Sequence, residues 1–183
     1  MIELATAPDA LLARRAADGD ERAFGAIVRR HAPYLRAFAR RLGSLDLDVD
    51  DVVQESFIVA WRSLPSLADP ERLRGWLTTI VSRKVIDRSR TRRPQVELDE
   101  TTAPTVAESD GPEARAESND RLSALAIVLR ALPEEQRQVW VLKEIAGEPY
   151  EAIAAQLEIP VSTVRGRLAR ARATVLEKMR GWE

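Results

Sequence analysis

Residues 94–116, PQVELDETTAPTVAESDGPEARA, contain Pro94, Pro104, Gly111 and Pro112 and almost no large apolar side chain. A stretch of that composition cannot join a packed core and reads as a flexible linker. It divides the 183-residue chain into 1–93 and 117–183. Each part is short, so each suits helix-on-helix packing better than a large sheet. Apolar residues on both sides recur at helical spacing, and no segment alternates convincingly with period two. The expected fold is all-α: two small helical domains joined by a flexible acidic linker, the C-terminal one with a helix-turn-helix.

Helices are expected near 8–18, 21–42, 48–64 and 70–91, and again near 117–131, 134–146, 150–157 and 161–180. Gly43-Ser44 ends the second, and Asp48 or Asp50 caps the third. Pro65 ends the third and Pro70 opens the fourth. Leu132-Pro133, Gly147-Glu148-Pro149 and Ile159-Pro160 break the later ones.

Composition excludes several classes. Cysteine is absent and His31 is the single histidine, so no disulfide scaffold, Cys-type zinc site or His-based triad is expected, and no cofactor or metal. The N-terminus has no long apolar run, and no 18-residue apolar stretch occurs, so no signal peptide and no membrane insertion are expected. A cytoplasmic setting follows as the default. The net charge of −1 conceals segregation. Segment 71–93 carries Arg72, Arg74, Arg83, Lys84, Arg88, Arg90, Arg92 and Arg93; 95–120 is acidic; 160–180 is basic again, with Arg165, Arg167, Arg170, Arg172, Lys178 and Arg180. Two basic zones around an acidic one suit two polyanion-binding modules, or two solvated helix faces and a tether.

The stretch YEAIAAQLEIPVSTVRGRLARAR has the pattern of a helix-turn-helix. Ile153, Ala154 and Leu157 face inward on its first helix. Val161, Val164, Leu168, Ala171 and Val175 fall within about 80° of one another on the second. The opposite face is small and basic: Ser162, Gly166, Ala169, Arg170 and Ala173, flanked by Thr163 and Arg165. A small face lets a helix backbone approach a groove floor, where Arg165, Arg170 and Arg172 reach bases or phosphates.

In the N-terminal part, helix 70–91 has a core stripe of Leu73, Trp76, Leu77, Ile80 and Val81. Arg72, Thr79, Arg83 and Arg90 lie within about 40° of one another on the wheel, beside Ile86 and near Trp76. A basic stripe with apolar flanks suits a strand with partly unstacked bases. Helix 48–64 turns Val53, Phe57, Ala60, Trp61 and Leu64 inward. Its outward face mixes Asp51, Glu55 and Arg62 with Val52, Ile58 and Val59, a candidate protein-partner surface.

Taken together, these segments resemble the extracytoplasmic-function (ECF) sigma factors of bacterial RNA polymerase. DVDDVVQESFIVAWRSL is similar to the family's polymerase-clamp helix, GWLTTIVSRKVIDRSRTRR to its −10-element helix, and ALPEEQRQVWVLKEIAGEPYEAIAAQLEIPVSTVRGRLARARATVLEKM to its −35-binding domain. Three positions depart from the family pattern: Arg83 stands for the usual Asn, and Ser162 and Gly166 for the usual Gly and Ser.

The resemblance implies an alternative sigma factor, not an enzyme. It would bind core RNA polymerase, recognise −35 and −10 promoter elements, promote melting and direct initiation. Residues 1–93 would dock on polymerase and bind the −10 element, 94–116 would link, and 117–183 would bind the −35 element. Asp51, Gln54, Glu55, Ile58 and Arg62 would meet the polymerase clamp. Arg72, Trp76, Thr79, Arg83, Ile86 and Arg90 would capture the single-stranded −10 element. Ser162, Thr163, Arg165, Gly166, Ala169, Arg170 and Arg172 would read the −35 duplex. An anti-sigma factor is the further expected partner. A rival reading is a polymerase-independent helix-turn-helix regulator. A remoter one is a metal-dependent hydrolase built on His31, Asp50, Asp51 and Glu55.

Overall fold

The computed structural model describes residues 4–44, 46–96 and 116–180, and every regular element among them is helical. The order is α1 (Asp9–Ala17), α2 (Glu21–Leu42), α3 (Val49–Ser63), α4 (Leu73–Val96), α5 (Ala116–Arg130), α6 (Glu134–Trp140), α7 (Tyr150–Leu157) and α8 (Val161–Met179). Two short 3₁₀ turns, Leu64–Ser66 and Pro70–Arg72, join α3 to α4, and a wide π-type turn, Val141–Ile145, continues α6. Most of the expected linker lies outside the described residues, but α4 runs through Pro94 to Val96 and α5 already includes Ala116.

Local chemistry sets these boundaries. Asp20 accepts from the backbone N–H groups of Arg22 and Ala23 and opens α2. Asp48, not Asp50, opens α3 by accepting from Asp51 N. Asp69 caps the Pro70 turn through Glu71 N, so Arg72 precedes α4 and does not belong to its wheel. Gly43 ends α2; a Cβ there would collide with the Leu47 side chain, which folds back under the helix end.

Leu12, Ile27, Leu35, Phe38, Val52, Phe57, Leu64, Leu73, Leu77 and Val81 fill the N-terminal core. Val52 is fully buried, contrary to its expected place on the outward face of α3. The helix wheel misplaces it because α3 packs between α2 and α4, which cover more of its circumference than one stripe. Leu129, Leu132, Val139, Leu142, Ile153, Val164, Leu168 and Ala171 fill the C-terminal core. The two cores meet: α2 contacts α5, α6 and the π-type turn, and α4 contacts α7, giving one continuous apolar cluster.

Candidate nucleic-acid and partner interfaces

The α7–turn–α8 unit has the geometry expected of a helix-turn-helix. Ile153 and Ala154 on α7 pack with Val164, Leu168 and Ala171 on α8, all buried. Glu158 closes α7 in the left-handed region (φ 54°, ψ 44°). Ser162, Arg165, Ala169, Arg170, Arg172 and Ala173 are exposed on α8, with Thr163 and Gly166 half-buried beside them. Arg167 points away, pairing with Glu135 of α6.

Two of the expected DNA-facing arginines are held in place. Arg165 lies over the Tyr150 ring, its Cζ 5.5 Å from the centroid, and Lys143 Nζ approaches the same ring at 4.7 Å. Arg172 Nε and Nη2 donate to Glu144 Oε1 at 2.9 and 2.6 Å, which holds its guanidinium above its usual pKa. Among the described residues, no hydrogen bond or ion pair engages the guanidinium of Arg165 or Arg170, whereas Arg172 must share its donors with Glu144.

The basic stripe of α4 divides. Thr79 and Trp76 are half-buried, the latter packed on the core, and Arg72 lies beside Asp69 at 3.3 Å. Arg83 is exposed. Beyond it the stripe is covered by the C-terminal module, so the expectation of an open stripe fails there. Ile86 is 2% exposed. Arg90 Nη1 donates to Glu158 Oε1 at 2.9 Å and Nη2 to the Gln156 carbonyl at 2.7 Å. A helical wheel sees one helix and carries no information about which distant segment covers it.

The five expected clamp residues fall on two sides of α3. Asp51 and Glu55 face α4: Arg88 Nη2 reaches Asp51 Oδ2 at 2.5 Å and Glu55 Oε1 at 2.8 Å, and Lys84 Nζ reaches Glu55 Oε2 at 3.0 Å. The Lys84 hydrogen bond is the main cause holding the Glu55 carboxyl below its usual pKa. Gln54, Ile58 and Arg62 instead line a groove of about 870 Å³ between α2 and α3, floored by Phe24, Val28, Phe57 and Trp61. Phe24 and Trp61 pack with ring centroids 4.9 Å apart, and Ile58 is 46% exposed. Asp50 pairs with Arg36 at 2.5 Å, while His31 sits beside Asp9. The acids and histidine of the hydrolase reading therefore face different groups, Asp50 facing Arg36, Asp51 and Glu55 sharing Arg88, and His31 facing Asp9, and no cluster of metal-ligating residues occurs among the described residues.

Sequence reasoning missed Arg137. It is buried, donating through Nη2 to Gly43 O at 3.1 Å and through Nη1 to Leu132 O at 3.5 Å, and burial pushes its pKa down. It ties α6 to the carbonyl end of α2, where a cation is favoured. No local pattern marks it, because its acceptor is 94 residues away.

Comparison with known proteins finds two family matches along the chain. Residues 27–95 match the family described as Sigma-70 region 2, and residues 123–175 match Sigma-70, region 4. The RNA polymerase sigma factor CnrH of Cupriavidus metallidurans is 40% identical over 174 residues, covering 90% of this chain and 91% of that protein. The ECF RNA polymerase sigma-E factor of Escherichia coli K12 is 31% identical over 180 residues, covering 93% and 94%. Among solved structures, CnrH in complex with the cytosolic domain of CnrY aligns with TM-score 0.57 and 35% identity, covering 96% of this chain and 99% of that one. The sigma factor RpoE in complex with the anti-sigma factor NepR from Bartonella quintana aligns with TM-score 0.59 and 27% identity, covering 86% and 96%.

Proposed function

We propose how this chain, which belongs to the ECF sigma factors of RNA polymerase, divides promoter recognition among its residues. It is an alternative sigma factor that directs transcription initiation. Its task is binding: it supplies core polymerase with promoter specificity in the cytoplasm and catalyses no reaction of its own. Among the described residues no helix is long and apolar enough to cross a membrane.

Residues 1–93 form the polymerase-docking and −10 module, and 117–183 form the −35 module, with 94–116 between them. The exposed small face of α8 is the observation that carries the −35 assignment. Arg165 and Arg170 offer unpaired donors beside Ser162, Gly166 and Ala169, where the helix can lie close to base edges. Arg172 adds a phosphate contact when it leaves Glu144. Gln54, Ile58 and Arg62 on the α2–α3 groove form the centre of the polymerase contact, and Asp51 and Glu55 form its rim. Trp76, Thr79, Arg72 and Arg83 surround the captured −10 strand, and Ile86 and Arg90 join them once α7 moves off α4. Capture of unstacked bases favours the melted state because it binds only that state.

The linker length fits two separated sites. The stretch 97–115 between α4 and α5 could reach at most roughly 63–68 Å, enough to span elements about 17 base pairs apart, roughly 58 Å at ~3.4 Å per pair. As a free coil it would average only ~22–26 Å, so polymerase must hold it stretched. CnrH and RpoE were solved with CnrY and the anti-sigma factor NepR. By that likeness an anti-sigma factor is the expected regulator of this chain, and the apolar α2–α3 groove is a surface such a partner would cover.

Run-off transcription with core polymerase, followed by mapping of transcript starts, tests the reading. Arg165→Ala or Arg170→Ala should cost about 1–3 kcal/mol of −35 binding, with the loss concentrated on particular bases. Uniform weakening on all sequences would make that residue a phosphate contact. Ile58→Asp should weaken the pull-down of core enzyme; unchanged capture would remove the groove from the docking surface.

A further inference from the structure

We infer that Tyr150 is a positioning residue for −35 recognition: its ring fixes where Arg165 points, and so decides which base pair that arginine reads. The inference rests on the assignment of the α8 face to the −35 duplex above and adds to it a residue outside α8. Arg165 is exposed, and among the described residues its guanidinium makes no hydrogen bond or ion pair. A long side chain in that setting samples many rotamers and must give them up on binding. The contact it does make is with the Tyr150 ring, its Cζ 5.5 Å from the centroid. A cation over an aromatic face is attracted by the ring's quadrupole and spends none of its N–H groups. Arg165 therefore meets DNA ordered, with its planar fork of donors intact, as two-point recognition of a guanine edge requires.

The ring is itself held from several directions. Tyr150 opens α7 directly after Pro149, is half-buried and packs against the apolar cluster. Lys143 Nζ lies 4.7 Å from the ring centroid and donates to the Glu148 carbonyl at 2.9 Å, so a backbone contact keeps that cation in place. The Tyr150 hydroxyl oxygen accepts from Arg172, whose other bonds run to Glu144 Oε1. Ring and hydroxyl thus serve different arginines: the ring orients Arg165, and the hydroxyl helps to hold Arg172 beside Glu144. The helix-turn-helix makes this possible by bringing the first residue of α7 against the exposed face of α8.

The test is a base-preference profile. Holoenzyme carrying each variant competes for a panel of single-base-pair −35 variants of a mapped promoter. Arg165→Ala should lower the preference at one base pair about tenfold. Tyr150→Leu keeps apolar bulk but has no aromatic face. It should lower the preference at that same pair roughly fivefold, with other −35 pairs within about twofold of the parent. Tyr150→Phe keeps the ring and should hold the parent's preference there. Adding Tyr150→Leu to Arg165→Ala should cost nothing further at that pair, because one residue acts through the other. A second readout needs no DNA. In proton NMR of the free chain, the ring should shift the Arg165 side-chain protons upfield in the parent and in Tyr150→Phe, but not in Tyr150→Leu. Unshifted Arg165 protons in the parent would overturn the inference. So would uniform weakening on all −35 pairs by Tyr150→Leu, which marks a packing role, or a further loss in the double variant. A preference lost in Arg165→Ala but kept in Tyr150→Leu overturns the positioning role alone. If Arg165→Ala leaves every −35 preference unchanged, the DNA reading of Arg165 itself fails, and the positioning role falls with it.

Discussion

Gly166 shows how one residue can set stability against recognition. It sits inside α8, where glycine is about 1 kcal/mol less favourable than alanine. A Cβ added there would meet only Arg170 Nη1 at 3.7 Å, so the fold itself does not require glycine. Gly166→Ala should therefore raise stability by up to about 1 kcal/mol in urea titration yet weaken −35 binding severalfold in a mobility-shift assay with holoenzyme. Improved stability with undiminished binding would show that α8 does not approach DNA closely at this position. Glu55 is the opposite case, a residue expected on a free surface that the fold employs. Because it sits between Lys84 and Arg88, Glu55→Lys would place three cations together. The thermal midpoint should fall, and added salt should recover part of the loss; a midpoint equal to the parent's would mean the triad contributes nothing.

At the level of elements, α1 is fastened to α2 through one acid. Asp9 Oδ1 takes Arg30 Nη1 at 2.5 Å, and Asp9 Oδ2 lies 2.9 Å from His31 Nε2, without the alignment of a hydrogen bond. His31 is 5% exposed. Its burial lowers the pKa below the ordinary 6.5; Asp9 opposes the shift, while Arg30 and Arg74 add to it. The folded state thus favours neutral imidazole, and the unfolded chain takes up the proton first as pH falls. This contribution to stability is present above about pH 6.5 and is lost as pH drops through the depressed folded value. Thermal unfolding between pH 8 and 5 should show that decline in the parent chain and a flatter profile in His31→Asn. Parallel profiles would remove His31 as its cause.

Across the whole molecule, the meeting of the two modules depends on buried polar groups. Glu148 lies near Arg83 of α4, with the Gln156 amide on its carboxyl and Lys143 Nζ on its backbone carbonyl. Burial pushes the Glu148 carboxyl above its ordinary pKa, and the nearby Arg83 charge only partly offsets this. A raised folded pKa favours the folded state below the unfolded value of 4.5, and that advantage disappears as pH rises through the folded value. Glu148→Gln keeps the hydrogen-bonding shape without the charge. It should stabilise the closed chain at pH 7, seen as a higher thermal midpoint, and the gain should vanish below about pH 4.5. An equal gain at both pH values would assign the effect to packing and not to charge.

Helix positions, the inward residues of α7 and α8 and the exposed basic face of α8 were legible because each is a short-range property. Periodicity, proline breaks and aspartate caps act within a few residues, so the sequence states them directly. What lay beyond reach was pairing between distant segments: Val52 buried by a second neighbour, Glu55 claimed by Lys84 and Arg88, Arg137 reaching Gly43, and Arg90 closed by α7. An amphipathic stripe states only that a face is apolar or charged. Whether that face meets solvent, DNA or the rest of the chain depends on how whole helices pack, which local pattern does not encode.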